Sequence, residues 1–301
     1  MLARVHSSAI LGVDAYPVQV EVDVSYNDAS ITIVGLPDAA VRESANRVEA
    51  AIRNSGFEYP KMRITINLAP ADIRKEGPAF DLPIALGLLV ASGQVAADGI
   101  LDEVALTGEL SLDGRLRPIA GALPIALGCR KAGRRALIVP PANGNEAAVV
   151  TDFEVFAAQT LYDCVKLLES NLADEPLQVA EDDISLETPP YEADMADVKG
   201  QDHVKRALEI AAAGGHNCLM VGPPGSGKTM LARRMPSILP PMTLEEALEV
   251  TKLYSVKGLM RPGDALIQTR PFRHPHHTVS SAGLIGGGTF PSPGEGSLAP
   301  H

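Results

Sequence analysis

Apolar residues recur at every second position early in the chain and at helical spacing shortly afterwards. Alternation from Val18 to Val24 predicts a strand with one buried face. The period resumes at Ile31 and Ile33, after a turn at Asn27-Asp28. A helix is then predicted to begin at Pro37-Asp38 and to end at Gly56, because apolar residues recur every three or four positions: Val41, Ala45, Val48 and Ile52.

Similar patterns predict further elements up to residue 172. Strands are expected at 62–68, 104–107 and 136–139, and helices at 81–90 and 120–132. Asp81 is expected to cap the first of these helices. The stretch 110–117 predicts a hairpin with Asp113-Gly114 in its tight turn. This mixture of elements predicts an α+β domain over residues 1–172.

Charge separates this domain from the rest of the chain. The net charge is −11 over 301 residues, and residues 173–198 carry nine acidic and no basic residues. Pro176, Pro189 and Pro190 also lie there, so residues 173–197 are predicted to form a solvated linker. Scattered cysteines, the absence of a long apolar run and the absence of a signal-peptide pattern favour a cytoplasmic protein without a membrane partner.

A phosphate-binding motif follows in the last third of the chain. The run Gly222-Pro223-Pro224-Gly225-Ser226-Gly227-Lys228-Thr229 fulfils the P-loop pattern G-x-x-x-x-G-K-[ST] at every position. Glycines let backbone N–H groups turn towards a phosphate, Lys228 reaches the β and γ oxygens of ATP, and the Thr229 hydroxyl holds Mg²⁺. The apolar run 218–221 predicts a buried strand before the loop, and 230–235 a helix after it.

Several basic and histidine clusters are candidates for other contacts. Arg115 and Arg117 indicate either a solvated hairpin face or a DNA contact. The four basic residues within 130–135 lie at a predicted helix end and either complement the helix dipole or contact nucleic acid. Arg270 and Arg273 are candidate phosphate contacts. Three histidines follow within four residues: His274, His276 and His277. They indicate a loop that contacts a subunit or substrate, a metal site, or surface residues without a role.

Two stretches of the first domain resemble the proteolytic domain of Lon-type proteases. Lys75-Glu-Gly-Pro-Ala79 is similar to that family's K-D-G-P-S, and residues 106–119 are similar to its L-T-G-E-V…P-I-G-G. The resemblance implies a fold like domain 2 of ribosomal protein S5. It also implies that the Ser–Lys dyad is lost, because Ala79 stands at the position of the nucleophile and Leu123 at that of the base. A protease is therefore not expected, since a peptidase would need a nucleophile other than Ala79.

Over nearly its whole length the chain resembles the Mg-chelatase-like AAA+ ATPases of the ComM/YifB type. The resemblance rests on the order of the Lon-like domain, the acidic linker, the P-loop and the segment 270–278. It implies a partial P-loop AAA+ α/β domain over residues 198–301, with Val198 and Gln201 near the adenine. It further implies an ATPase that assembles as a hexameric ring and, in the ComM branch, drives DNA branch migration during natural transformation.

One part of that family's pattern is missing from the sequence. No hhhhDE run (the Walker B strand, whose carboxylates hold Mg²⁺) is present, and neither are the sensors or the arginine finger. We therefore expect a chain truncated before Walker B that binds nucleotide weakly and hydrolyses it poorly. Two alternatives stay open: a non-hydrolysing scaffold, or an ATPase like the magnesium chelatase subunit, which the Lon-like domain disfavours.

Overall fold

A computed structural model describes residues 1–26, 29–97, 99–186, 191, 193–287 and 292–300. Its strands are β1 (Leu2–Leu11), β2 (Asp14–Ser25), β3 (Ser30–Val34), β4 (Arg63–Ala69), β5 (Val104–Leu106), β6 (Glu109–Leu110), β7 (Leu116–Arg117), β8 (Ala136–Val139), β9 (Glu154–Ala157), β10 (Gly286–Gly287) and β11 (Ser292–Pro293). Its α-helices are α1 (Ala39–Asn54), α2 (Asp81–Ala91), α3 (Ile100–Glu103), α4 (Ala122–Lys131), α5 (Gly144–Ala148), α6 (Leu161–Glu169), α7 (Glu181–Ile184), α8 (Asp202–Gly214), α9 (Lys228–Ala232), α10 (Leu244–Val256) and α11 (Ser281–Ile285).

Seven strands form one sheet in the order β3-β4-β2-β1-β5-β8-β9. β1 and β2 pair antiparallel along their whole length, and β2 pairs antiparallel with β4. The other four neighbouring pairs are parallel. This sheet with its helices confirms the predicted combination of α and β elements in residues 1–172. β4 separates β2 from β3, and the turn predicted at Asn27-Asp28 lies outside the described residues, as do Pro189 and Pro190.

Helices cover both faces of the sheet. Along β8, Ala136 and Ile138 belong to one buried cluster, shared with α1, α2 and α6, whereas Leu137 and Val139 belong to another, shared with α4 and α5. This division follows from the pleat, because successive side chains of a strand point to opposite faces. It also explains why β8 is an unbroken apolar run, as strands buried on both faces usually are.

The first two helices show where local sequence signals hold and where they fail. α1 begins directly after Asp38, close to the predicted start, and Asp38 caps it, since its Oδ1 accepts a hydrogen bond from Val41 N at 2.7 Å. The predicted capping role of Asp81 is wrong. Asp81 is the first residue of α2, and its carboxylate accepts hydrogen bonds from the Arg47 side chain and from Leu110 N instead.

Residues 193–300, called here the C-terminal part, have smaller cores than residues 1–172, the N-terminal part. One core contains Met195, Val198, Leu208 and Leu231. The strand predicted at 218–221 is wrong: no described strand pairs with it, and Leu219 and Val221 are 90% and 89% exposed. A β-strand is stabilised by hydrogen bonds to a neighbouring strand, so an apolar run without such a neighbour does not form one.

The two parts contact each other through α10. Gly121 N, just before α4, donates to Ser255 O at 2.8 Å, and the Asn145 side chain donates to Gly263 O at 2.8 Å. Lys252 of α10 also forms an ion pair with Asp14 at the start of β2. No helix within the described residues has the length and apolarity needed to cross a membrane.

Candidate functional site

Residues 222–227 form a loop that leads into α9, and Lys228 and Thr229 are the first two residues of that helix. Gly225 and Gly227 have φ values of +80° and +84°, in the left-handed region that favours glycine. A Cβ on Gly222 would lie 2.9 Å from Ser226 Oγ, the end of a side chain that can rotate away. The backbone shape of the loop therefore favours glycine at positions 225 and 227.

Lys228 lies across the inside of this loop. Its Nζ donates hydrogen bonds to Gly222 O at 2.7 Å and Pro223 O at 2.9 Å, and lies 3.3 Å from Ser226 Oγ. These acceptors hold the ammonium group where the motif predicts a phosphate. Thr229, the next residue, is exposed on the first turn of α9.

A cavity of about 440 Å³ adjoins the loop. Lys228, Ser226 and Gln201 all line it, so the structure brings one predicted adenine-pocket residue beside the P-loop. Val198, the other one, is not among the lining residues and packs in the small core beneath, 5% exposed. His203 also lines the cavity and was not singled out from the sequence, although its place in the first turn after Gln201 was a usable signal.

The Lon-like positions lie apart from the P-loop, in the N-terminal part. Ala79 lines a separate cavity, whereas Leu123 is fully buried in the core beneath α4. Lys75 is also fully buried, and its Nζ donates to the carbonyl oxygens of Ile73, at 2.6 Å, and Pro70. Burial lowers the pKa of Lys75. This lysine fixes the loop that carries Ala79.

The candidate phosphate contacts at Arg270 and Arg273 are engaged within the chain, which corrects that prediction. Arg270 is buried, donates to Pro240 O at 2.8 Å and pairs with Glu246 at 3.1 Å. Arg273 makes two hydrogen bonds of 2.8 Å to the carboxylate of Glu295. Both arginines therefore form contacts within the C-terminal part and stabilise it.

The basic residues near β8 are engaged in a similar way. Arg130 donates to Thr151 O at 2.8 Å and Arg134 donates to Asp102 O. Arg135 pairs with Glu103 and Glu154 at 3.3 and 3.0 Å. These partners lie in α3, at the start of β9 and in the loop before β9, so the cluster links β8 to the elements around it. The hairpin arginines Arg115 and Arg117 remain exposed beside Asp113 and Glu109.

The histidine segment gives no support to the metal alternative. Within the described ranges, no group of three or more histidine, cysteine, aspartate or glutamate side chains is arranged to hold a metal ion. His276 and His277 stack with ring centroids 4.1 Å apart, and His276 Nδ1 lies 2.7 Å from Thr278 Oγ1. The segment is an exposed loop beside the Arg273–Glu295 pair.

Two family profiles match the chain, one on each side of the acidic segment. The profile described as subunit ChlI of Mg-chelatase matches residues 20–143, and the profile described as magnesium chelatase, subunit ChlI, matches residues 194–301. Both parts of the fold thus correspond to regions of one class of protein, the magnesium chelatase ChlI group.

Individual relatives define the family more closely. YifB of Salmonella typhimurium is 47% identical over 99% of this chain, and competence protein ComM of Haemophilus influenzae is 45% identical over 99%. The chain belongs to this Mg-chelatase-like ComM/YifB family. It spans 58% of the length of both relatives. A Lon protease of Chloroflexus aurantiacus is 33% identical over 41% of this chain, which supports the Lon-like character of the N-terminal part.

Proposed function

We propose that the chain binds Mg–ATP at residues 222–229 and is the nucleotide-binding portion of a ring-forming, DNA-remodelling ATPase. The position of Lys228 carries this proposal, because its ammonium already lies inside a loop with two left-handed glycines. A phosphate oxygen would replace the carbonyls of Gly222 and Pro223 as its acceptor. Phosphate sites of this kind combine a positive charge with backbone amides that turn towards the anion.

Each predicted residue then has a role in the proposed site. The backbone amides of Gly222 to Gly227 would surround the β-phosphate, and Lys228 would bind the β and γ oxygens. The Thr229 hydroxyl would hold Mg²⁺, which supplies charge that stabilises the transferred phosphoryl group. Gln201 would contact the base directly, and Val198 would support that pocket from the core. Residues 198–301 are accordingly proposed as the nucleotide-binding domain, after a linker at 173–197.

Binding of a fluorescent ATP analogue to the Lys228→Ala variant tests the site. A hydrogen bond to a charged group contributes about 1.5–3 kcal/mol, so we expect affinity to fall by roughly ten- to a hundredfold. Lys61→Ala removes an exposed lysine just before β4 and serves as the matched control. Equal affinity in the Lys228→Ala variant and the parent chain would show that the site is misplaced.

The DNA-remodelling activity and the ring are supported by the similarity to the competence protein ComM. ATP turnover should be measured with and without branched DNA. The chain should be compared with one extended by the remaining sequence of such a relative. Stimulation of the extended chain by branched DNA, together with assembly into a hexamer, is expected. An extended chain that stays monomeric and ignores DNA would contradict this part of the proposal.

A non-hydrolysing scaffold is the second candidate. The observation that favours it is the lack of an hhhhDE run in the 301 residues, since carboxylates of that kind hold Mg²⁺ and orient the attacking water. Nucleotide binding without turnover, in the same assay, would select this candidate. Metal insertion into a porphyrin would instead select a function like that of a magnesium chelatase subunit.

A further inference from the structure

A cavity of about 600 Å³ lies in the N-terminal part, where β1 ends. It is lined by residues 8–12, by much of the loop between Ile73 and Phe80, and by Pro118 to Ala120. Val256, at the end of α10, also contributes to its wall. None of these lining residues belongs to the P-loop, so the cavity is separate from the proposed nucleotide site.

β1 presents its edge to this cavity rather than one of its faces. A cavity against a face would be lined by every second residue of the strand, because successive side chains point to opposite faces. Residues 8–11 instead line the cavity consecutively. One edge of β1 pairs with β2 throughout, whereas on the other edge the pairing with β5 is at His6↔Ala105. Among the described strands, residues 8–11 thus have no partner on this edge, and such edges accept an added strand.

The apolar part of the cavity wall would accept aliphatic side chains. Ile10 and Ile119 are half-buried apolar residues of this wall, and Phe80 and Ile125, which are almost fully buried, also line it. Ala79 lies among them and has only a methyl group. An extended segment in this cavity would therefore meet no nucleophile at position 79.

The charged part of the wall is mainly acidic. Asp38, Glu76 and Glu109 line the cavity together with a single basic residue, Arg74. Asp38 is already engaged by Val41 N and Gly77 N, at 2.7 and 3.1 Å. Glu76 and Glu109 form looser ion pairs of 3.7 Å, beyond normal hydrogen-bond length. Their carboxylates can thus accept hydrogen bonds from a basic side chain of a ligand.

We propose that this cavity binds an extended segment of a partner protein, which adds as a strand to residues 8–11 and carries alternating apolar and basic side chains. Backbone hydrogen bonds to β1 would align the segment, and its basic side chains would pair with Glu76 and Glu109. Four edge residues correspond to about 13 Å of strand, so about four to six residues would bind. Val256 would bring the occupant into contact with the C-terminal part.

Fluorescence anisotropy with the full chain and a labelled hexapeptide of alternating valine and lysine tests this inference. We expect saturable binding below millimolar peptide. A hexapeptide N-methylated at alternate residues loses backbone donors, and one of alternating valine and glutamate reverses the charge; each should bind at least tenfold more weakly. No saturable binding, or equal binding of the N-methylated peptide, would overturn the proposal.

Variants locate the binding. Ala79→Phe fills the cavity and should weaken peptide binding at least tenfold, provided that its circular dichroism and melting match the parent. Glu76→Gln and Glu109→Gln alter partly exposed side chains and should weaken binding at low salt, with a smaller effect at high salt. Glu169→Gln, at the exposed end of α6, is the charge-matched control. Peptide binding unchanged in all three cavity variants would overturn the assignment, whereas Lys228→Ala should leave it intact.

Discussion

Arg47 of α1 donates two hydrogen bonds to the carboxylate of Asp81 of α2, from Nε to Oδ2 at 2.8 Å and from Nη2 to Oδ1 at 3.0 Å. Asp81 is fully buried and also accepts a hydrogen bond from Leu110 N at 3.2 Å. Burial raises the pKa of Asp81, and the hydrogen bonds from Arg47 oppose that rise. The pair therefore joins α1, α2 and β6 through one buried charge.

Loss of Arg47 should destabilise the fold strongly. Arg47→Met leaves the Asp81 carboxylate buried without its cation, which costs about 3–5 kcal/mol at neutral pH. The loss should shrink under acidic conditions, where Asp81 is protonated and carries no charge. Urea unfolding of Arg47→Met and of the parent chain, at neutral and at acidic pH, measures both effects.

Arg53→Met provides the control for this measurement on the same helix. Arg53 pairs with Glu49 at 2.9 Å on the exposed face of α1, and exposed pairs of this kind contribute less than about 1 kcal/mol. Similar losses for Arg47→Met and Arg53→Met would contradict the importance assigned to the buried pair.

The contrast between Asp38 and Asp81 shows which features the sequence could predict. Asp38 caps a helix through an amide three residues away, so the signal is local. The partner of Asp81 is 34 residues away, and only the packing of α1 against α2 brings them together. The fold class, most strands of the sheet and the P-loop residues followed from local patterns. Contacts between residues that are distant in the sequence could not be predicted from those patterns.

β1 was missed, and the segment before the P-loop was wrongly predicted to be a strand, for related reasons. Ala3, Val5 and Ser7 alternate as buried positions of β1, but Ser8 and Ala9 are also buried, which breaks the period. β1 depends on its pairing with β2, a long-range contact that periodicity does not reveal. The segment 218–221 shows the converse, an apolar run without a pairing strand among the described residues.

Glu146 should make stability fall as the pH rises. Burial raises the pKa of Glu146 to about 7 from its ordinary value of 4.5, while a hydrogen bond from Asn143 opposes the shift. Because the folded state retains this proton and the unfolded state loses it, the contribution of Glu146 decreases between pH 4.5 and 7 and is constant above that range. The decrease is about 3 kcal/mol, since one pKa unit corresponds to about 1.4 kcal/mol.

Urea unfolding at several pH values, with Glu146→Gln beside the parent chain, measures this effect. Glu146→Gln has no titrating group at this position and therefore lacks the loss of stability that Glu146 causes in the parent. The free energy of unfolding of the variant, relative to that of the parent, should rise with pH. Glu169→Gln should follow the parent profile. Parallel profiles for the parent and Glu146→Gln would refute the assignment.

The exposed apolar side chains before the P-loop should promote association between chains. Leu219 and Val221 are about nine-tenths exposed, and an unpaired apolar segment is an aggregation site. Leu219→Glu should reduce light scattering at high protein concentration while leaving the unfolding midpoint unchanged. Leu231→Glu, which alters a buried residue of the small core around Met195, should lower the midpoint instead. Undiminished scattering in Leu219→Glu would show that association arises elsewhere.

Cys218 should be the only one of the three thiols that reacts rapidly with an aromatic disulfide reagent in the folded chain. Cys218 is exposed, whereas Cys129 and Cys164 are buried. Burial raises the pKa of Cys129 to about 11 and also raises that of Cys164, which disfavours the reactive thiolates. One fast thiol is expected in buffer and three in denaturant, and Cys218→Ser should remove the fast phase.

The same thiol reports on the proposed nucleotide site. Cys218 and Lys228 line one cavity, so bound Mg–ATP should cover the thiol and slow its reaction. The extent of protection should follow nucleotide concentration in the parent chain and disappear in Lys228→Ala, because that variant is expected to bind ATP much more weakly. Equal protection in both chains would show that ATP acts at another place. A parent thiol that reacts at the same rate under saturating Mg–ATP would place the nucleotide outside this cavity.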